Sequence, residues 1–140
     1  MALEIYCDGA CKPNPGVMGW AAVVVSGGEI VQEITGGGEK GTNNTAEMLA
    51  VLEGLKQVET EPADGKAVIY TDSALVHGMM VLGWRSTKPH LLRLRLMIGK
   101  VVRDLEWTVE YQKSGVGDQI FQLADALARQ AVPQATMEAV

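Results

Sequence analysis

Two hydrophobic rhythms alternate along this chain, one of period two and one of period 3.6. Residues 3–8 and 67–72 alternate or run apolar with β-branched content, the pattern of strands. Trp20 to Val25 is continuously apolar, and Glu29 to Ile34 and Trp107 to Tyr111 also read as strands. Five strands are therefore predicted. Ser26-Gly27-Gly28 marks a hairpin turn between the second and third, and Gly36-Gly37-Gly38 is expected to end that meander.

The 3.6 rhythm takes over in between. Asn43 or Asn44 is positioned to cap a helix running to about Glu59, with Met48, Val51, Leu52, Leu55 and Val58 on one face. A second helix begins at Ser73 and weakens near Gly83, and a third runs from about Leu91 to Asp104. Asp118 caps the last, whose buried stripe is Ile120, Leu123, Leu127 and Ala131 and which Pro133 is expected to stop. Three strands joined by short turns, then helix, strand, helices, strand and helix, predict an α/β domain with a five-stranded mixed sheet. Joining through a helix favours parallel pairing, so the strand at 67–72 should lie beside and parallel to the first. One domain over residues 1–132 and a flexible tail at 133–140 are expected.

Composition narrows the class. The chain has 140 residues, 47% of them apolar, which suffices for a core without disulfide or metal staples. No apolar run is long enough to span a bilayer and no secretory signal is visible, so a cytoplasmic protein with no membrane partner is expected. Cys7 and Cys11 are too few for a disulfide framework or a zinc site and read as reduced thiols. No long amphipathic seam argues for an oligomer, so a monomer with no protein partner is the expectation. Net charge is −5, yet Ser73 to Arg103 contains no acid and carries Arg85, Lys88, Arg93, Arg95, Lys100 and Arg103, half of the chain's 12 cations. Such a run is either an electrostatic footprint for phosphates or a solvated helix face.

The acids carry the chemistry. Ile5-Tyr6-Cys7-Asp8 is echoed by Ile69-Tyr70-Thr71-Asp72, two like strands each finishing in an aspartate. As parallel neighbours they present both carboxylates at the C-terminal sheet edge, where open α/β sheets bind ligands. Close carboxylates repel unless a cation lies between them. Glu47 falls at the border of its helix's apolar face, able to lean over that edge, although an early-helix acid also suits the helix dipole. Asp125 sits on the flank of the last helix like any surface aspartate. Four such carboxylates suit a hard cation, Mg²⁺ or Mn²⁺. His77 and His90 form no cluster and read as surface or helix-face residues.

Four motifs in order resemble ribonuclease H type 1 over about Leu3 to Ala131. They are Tyr6-Cys7-Asp8-Gly9 with the loop to Gly16, Thr42-Asn43-Asn44-Thr45-Ala46-Glu47, Tyr70-Thr71-Asp72-Ser73, and Ala124-Asp125-Ala126-Leu127-Ala128-Arg129. The resemblance implies a ribonuclease H-like fold and hydrolysis of the RNA strand of an RNA–DNA hybrid, leaving 5′-phosphate and 3′-hydroxyl ends. It implies an Asp8, Glu47, Asp72, Asp125 site holding two Mg²⁺ ions, with Mn²⁺ as an alternative. Asp8 would bridge them, Glu47 and Asp72 would hold the ion at the leaving group, and Asp125 the one that activates water. Asn14, Asn43 and Asn44 resemble residues that touch the hybrid's minor groove, where the 2′-hydroxyl marks RNA. Cys11 resembles a loop residue near the RNA strand, and Thr42 part of a pocket for a DNA-strand phosphate.

The chain departs from the family in two places. The loop Lys113–Asp118 has glycine where many members carry a histidine, so activity is expected to survive with slowed turnover or with another group in that role. The basic handle is shortened to Gly83-Trp84-Arg85 and Ser86-Thr87-Lys88-Pro89. There Trp84 either stacks on a sugar or packs at a helix end, while Arg85 and Lys88 are expected to meet phosphates. Competing readings are a non-catalytic hybrid-binding module and a DNA transposase or resolvase. A calcium-binding role lacks any loop of closely spaced ligands.

Overall fold

The computed structural model describes residues 2–114 and 118–139, with side chains as far as Val132. The elements are β1 (Leu3–Lys12), β2 (Gly16–Ser26), β3 (Glu29–Gly41), α1 (Asn43–Gln57), β4 (Lys66–Thr71), α2 (Ala74–Met80), α3 (Pro89–Leu105), β5 (Thr108–Lys113) and α4 (Gln119–Ala139). The five strands form one sheet in the order β3-β2-β1-β4-β5. β1 pairs antiparallel with β2 and parallel with β4, and β4 pairs parallel with β5, as the connections require. The glycine-containing stretch 115–117 lies outside the described residues, and with it the position of the absent histidine.

Alternation along β1 splits its side chains between two cores. Leu3, Ile5 and Cys7 join Ala22, Val24, Ile69 and the apolar face of α1, including Met48, Val51, Leu52 and Leu55. Tyr6 and Val23 face α4, where Ala124 is fully buried and Ile120, Phe121, Leu123 and Leu127 pack around it. Helices therefore cover both faces, and the sheet's C-terminal tip is left between α1 and α4.

Three sequence expectations are corrected. β3 does not end at the glycines but continues through them to Gly41, with Gly36 opposite Trp20 and Gly38 opposite Met18. A Cβ at Gly36 would fall 2.7 Å from the Trp20 ring, so glycine here makes room for an indole lying across the strand. The N-cap of α1 is Thr42 rather than Asn43 or Asn44, its hydroxyl accepting from the Thr45 N–H at 3.2 Å. Pro133 does not stop α4, which runs on to Ala139. Proline brings no N–H to the helix ladder, while Gln134, Ala135, Met137 and Glu138 are residue types that favour helix. Asp118 caps α4 as expected, its Oδ1 accepting from Ile120 and Phe121 at 2.9 and 3.1 Å.

Candidate active site

The register of β1 and β4 brings the acids together. Tyr6 pairs with Tyr70, and their rings stack at 4.6 Å between centroids with 11° between planes. Two residues further along the chain in each case stand Asp8, within β1, and Asp72, just past the end of β4, at the same edge of the sheet. Glu47 is brought in by the packing of α1 on β1 at Gly9. A Cβ on Gly9 would lie 2.4 Å from the Ala46 carbonyl carbon and 2.5 Å from the Glu47 nitrogen, so only glycine lets the helix come this near. Asp8, Glu47 and Asp72 each offer a carboxylate oxygen within 4.8 Å of the others.

Asp125 reaches the same place from α4. It stands close enough to help raise the Asp8 carboxyl. Arg129, one turn on, bonds both of its oxygens, Nε to Oδ1 at 3.3 Å and Nη2 to Oδ2 at 3.1 Å. All four acids line one open cleft of about 630 Å³, together with Cys11, Lys12, Asn43, Asn44 and Arg129.

Electrostatics favour a cation in this cleft. Burial pushes the Asp8 carboxyl up to about 7, with a further upward push from its hydrogen bond to Asp125. Glu47 is pushed up to about 10, by burial first and then by the charges of Asp8 and Asp72, although the Gly9 N–H donates to it. Burial also raises Asp72. Glu47 Oε2 is buried without a hydrogen-bond partner among the described residues. A buried, orphaned carboxylate oxygen beside two other acids fits a divalent, oxygen-loving ion.

These shifts set a pH dependence. Carboxyls raised in the folded state add stability that is fully present below their unfolded values, near 4, and is lost as pH rises through the folded ones. For Asp8 that loss runs up to about 7 and for Glu47 up to about 10. A bound divalent ion displaces those protons, so its affinity rises over the same window. Melting curves with and without Mn²⁺ should show a stabilisation at pH 8.5 exceeding that at pH 6 by about 5 °C. A shift independent of pH would contradict the assignment.

The remaining predicted contacts divide into three places. Cys11, Asn43 and Asn44 are on the cleft. The Thr42 cap leaves both asparagine side chains exposed at the start of α1. Asn14 is tied to them, its Oδ1 accepting from the Asn43 N–H at 3.1 Å. Thr42 instead lines a separate groove of about 390 Å³ with Lys40, Thr45 and His90. Trp84, Arg85 and Lys88 sit in the connection between α2 and α3 and do not line the cleft. Trp84 packs its ring against Gly78, where a Cβ would collide with it, yet stays 47% exposed. It thus packs at a helix end and still offers a face. Lys12 and Arg129 were not singled out from sequence; the four-residue spacing of Asp125 and Arg129, an ion-pair spacing on a helix, was the available signal.

Asp8 within β1 and Asp72 just past β4 converge with Glu47 of α1 into a cluster that could hold a metal ion, and Asp125 of α4 lines the same cleft. The chain belongs to the ribonuclease H family, whose family model, RNase H, matches residues 1–133. It is 34% identical to the ribonuclease H of Verminephrobacter eiseniae over 95% of this chain and 92% of that one. To the ribonuclease H of Polaromonas naphthalenivorans it is 34% identical over 94% and 87%. Among solved structures, the N-terminal RNase H domain of a Mycobacterium tuberculosis protein superposes with a TM-score of 0.84 at 26% identity, covering 99% of each chain. RNase H1 of Halobacterium salinarum gives 0.82 at 28% identity over 96% and 100%. The protein is therefore a ribonuclease of this family. Among the described residues no helix is long and apolar enough to cross a membrane.

Proposed function

We propose that this protein is an endoribonuclease that hydrolyses the RNA strand of RNA–DNA hybrids, using two divalent cations held by Asp8, Glu47, Asp72 and Asp125. The observation that carries the reading is the convergence of Asp8, Glu47 and Asp72 oxygens within 4.8 Å around an orphaned Glu47 oxygen. Asp125, on the opposite helix, lines the same cleft. When bound, such a pair of ions supplies an activated water and neutralises the departing 3′ oxygen, giving 5′-phosphate and 3′-hydroxyl ends. Asp8, next to Glu47 and on the same cleft as Asp125, would contribute its carboxylate to both ions. The substrate class is that of the family, to which the hybrid-bound LC11-RNase H1, similar in fold, also points.

The chain's own residues orient the hybrid. Asn43 and Asn44, exposed on the cleft and steadied through Asn14, supply amide donors and acceptors for the minor groove and its 2′-hydroxyls. Cys11 packs at the cleft wall, its thiol against the Pro13 and Gly41 carbonyls. Thr42, Thr45 and Lys40 border a groove where a hydroxyl and an ammonium can meet a DNA-strand phosphate. Arg85 and Lys88, both exposed, add phosphate contacts from the α2–α3 connection. Replacing both by alanine should weaken hybrid binding severalfold and flatten the slope of log affinity against log salt by about 1–2, measured by fluorescence anisotropy. An unchanged slope would remove them from the interface.

The reaction is tested by digesting a labelled hybrid with Mg²⁺ or Mn²⁺, beside Asp8→Asn and duplex DNA. Cutting confined to the RNA strand supports the proposal. Binding without cutting would instead mark a hybrid-binding module, and cutting of duplex DNA a transposase-like enzyme. Mg²⁺ is the expected physiological ion, and the protein is taken to work as a cytoplasmic monomer. Lacking the loop histidine, it is expected to turn over more slowly than a histidine-bearing relative. Equal single-turnover and multiple-turnover rates in the two would refute that.

A further inference from the structure

Among the described residues, Asp125 is the one site acid gripped by a cation of its own chain. Arg129 takes both of its oxygens, at 3.3 and 3.1 Å, in a two-point fork. Asp8, Glu47 and Asp72 bring their oxygens within 4.8 Å of one another, and Asp125 is not in that set. Asp125 nonetheless lines the same cleft as those three. What sets it apart is engagement: both oxygens that a metal ion would use already face the guanidinium. That guanidinium does not lose its proton in proteins, so it yields Asp125 only by swinging away. Its side chain is 66% exposed and lines the open cleft, which leaves it free to swing at little cost.

We propose that Arg129 is a positioning residue that competes with a divalent cation for Asp125, so that the fourth acid joins the metal site only when the fork opens. The proposal rests on the reading that the four acids hold divalent cations. Arg129 holds the free carboxylate in a fixed rotamer and weakens metal binding in the same act. The same residue thus sets both where Asp125 points and how much free metal is needed to recruit it.

The test is a calorimetric Mn²⁺ titration of the full chain without substrate, repeated for Arg129→Ala, Arg129→Gln and Arg129→Lys. Alanine and glutamine should tighten Mn²⁺ binding about two- to fivefold, the scale of an exposed ion pair, and lysine should keep most of the wild-type weakness. In an Asp125→Asn background, Arg129→Ala should change nothing, because the competitor then has no carboxylate to hold. The proposal is overturned by unchanged or weaker Mn²⁺ binding in both neutral variants. It is equally overturned by a gain that persists in the Asp125→Asn background, since that gain would come from net charge alone. If the wild-type chain binds no Mn²⁺, the metal-site reading fails, and this inference with it. Circular dichroism melts of the variants separate these outcomes from loss of fold.

Discussion

Asp8→Asn is expected to lower cleavage of an RNA–DNA hybrid by about a thousandfold or more while leaving the fold intact. Asp8 clusters with Glu47 and Asp72 and shares a cleft with Asp125, so the loss of its charge removes a group that the other three acids surround. The amide keeps the shape but is a poor ligand for a hard cation. The second half of the expectation is the more diagnostic. Without metal, the wild-type site crowds like charges in a buried place, and the amide relieves that repulsion. Metal-free Asp8→Asn should therefore melt higher than wild type at pH 8, and Mn²⁺ should no longer raise its melting point by the wild-type amount. Residual cleavage within tenfold of wild type would sink the assignment of Asp8.

Gly9→Ala is expected to cost about 3 kcal/mol of stability, about 10 °C in melting temperature. The added Cβ would meet backbone atoms of Ala46 and Glu47 at 2.4 and 2.5 Å, and backbone has no rotamer into which to retreat. α1 must then move away from β1, taking Glu47 out of register with Asp8. Metal affinity should fall together with stability, a pairing that simple overpacking elsewhere in the core would not produce. Gly99→Ala is the control: a Cβ there meets only the flexible end of Arg103, at 3.5 Å, and alanine favours the helix. Thermal melts and Mn²⁺ titration of both variants decide it. Wild-type metal affinity in Gly9→Ala would show that the close approach does not position Glu47.

Much of this arrangement was legible in the chain because it is written in strand rhythm. The echo of residues 5–8 in residues 69–72 predicts paired parallel strands, and their register carries it out to the residue. Glu47 was readable as a border position because α1 packs through large apolar residues that define its face. Asp125 was the least legible, and the reason is physical. Leu123 and Leu127 dominate the hydrophobic pattern of α4, but the line of closest contact runs through Ala124 and Ala128, both fully buried. Gly19 of β2 lies beneath that line, where a Cβ would fall 2.3 Å from the Ala128 oxygen. Small residues make the nearest approach and leave the weakest periodic signal, so an acid beside Ala124 looks peripheral from the sequence. The glycines of β3 misled for a similar reason: they read as a terminator when read alone, and as a bed for Trp20 once the partner strand is known. Nor did the spacing of Arg85 and Lys88 reveal whether Trp84 would stack on substrate, since its packing on Gly78 depends on how α2 ends.

The four acids come from β1, α1, the residue just past β4, and α4, separated by as many as 117 positions in sequence (8 to 125). Bringing Asp125 to the other three acids is therefore among the highest-contact-order events in the folding of this molecule, and loop-closure entropy places it late. A half-folded chain that has built its sheet and packed α1, but not docked its final helix, already gathers Asp8, Glu47 and Asp72 and lacks only the acid carried by α4.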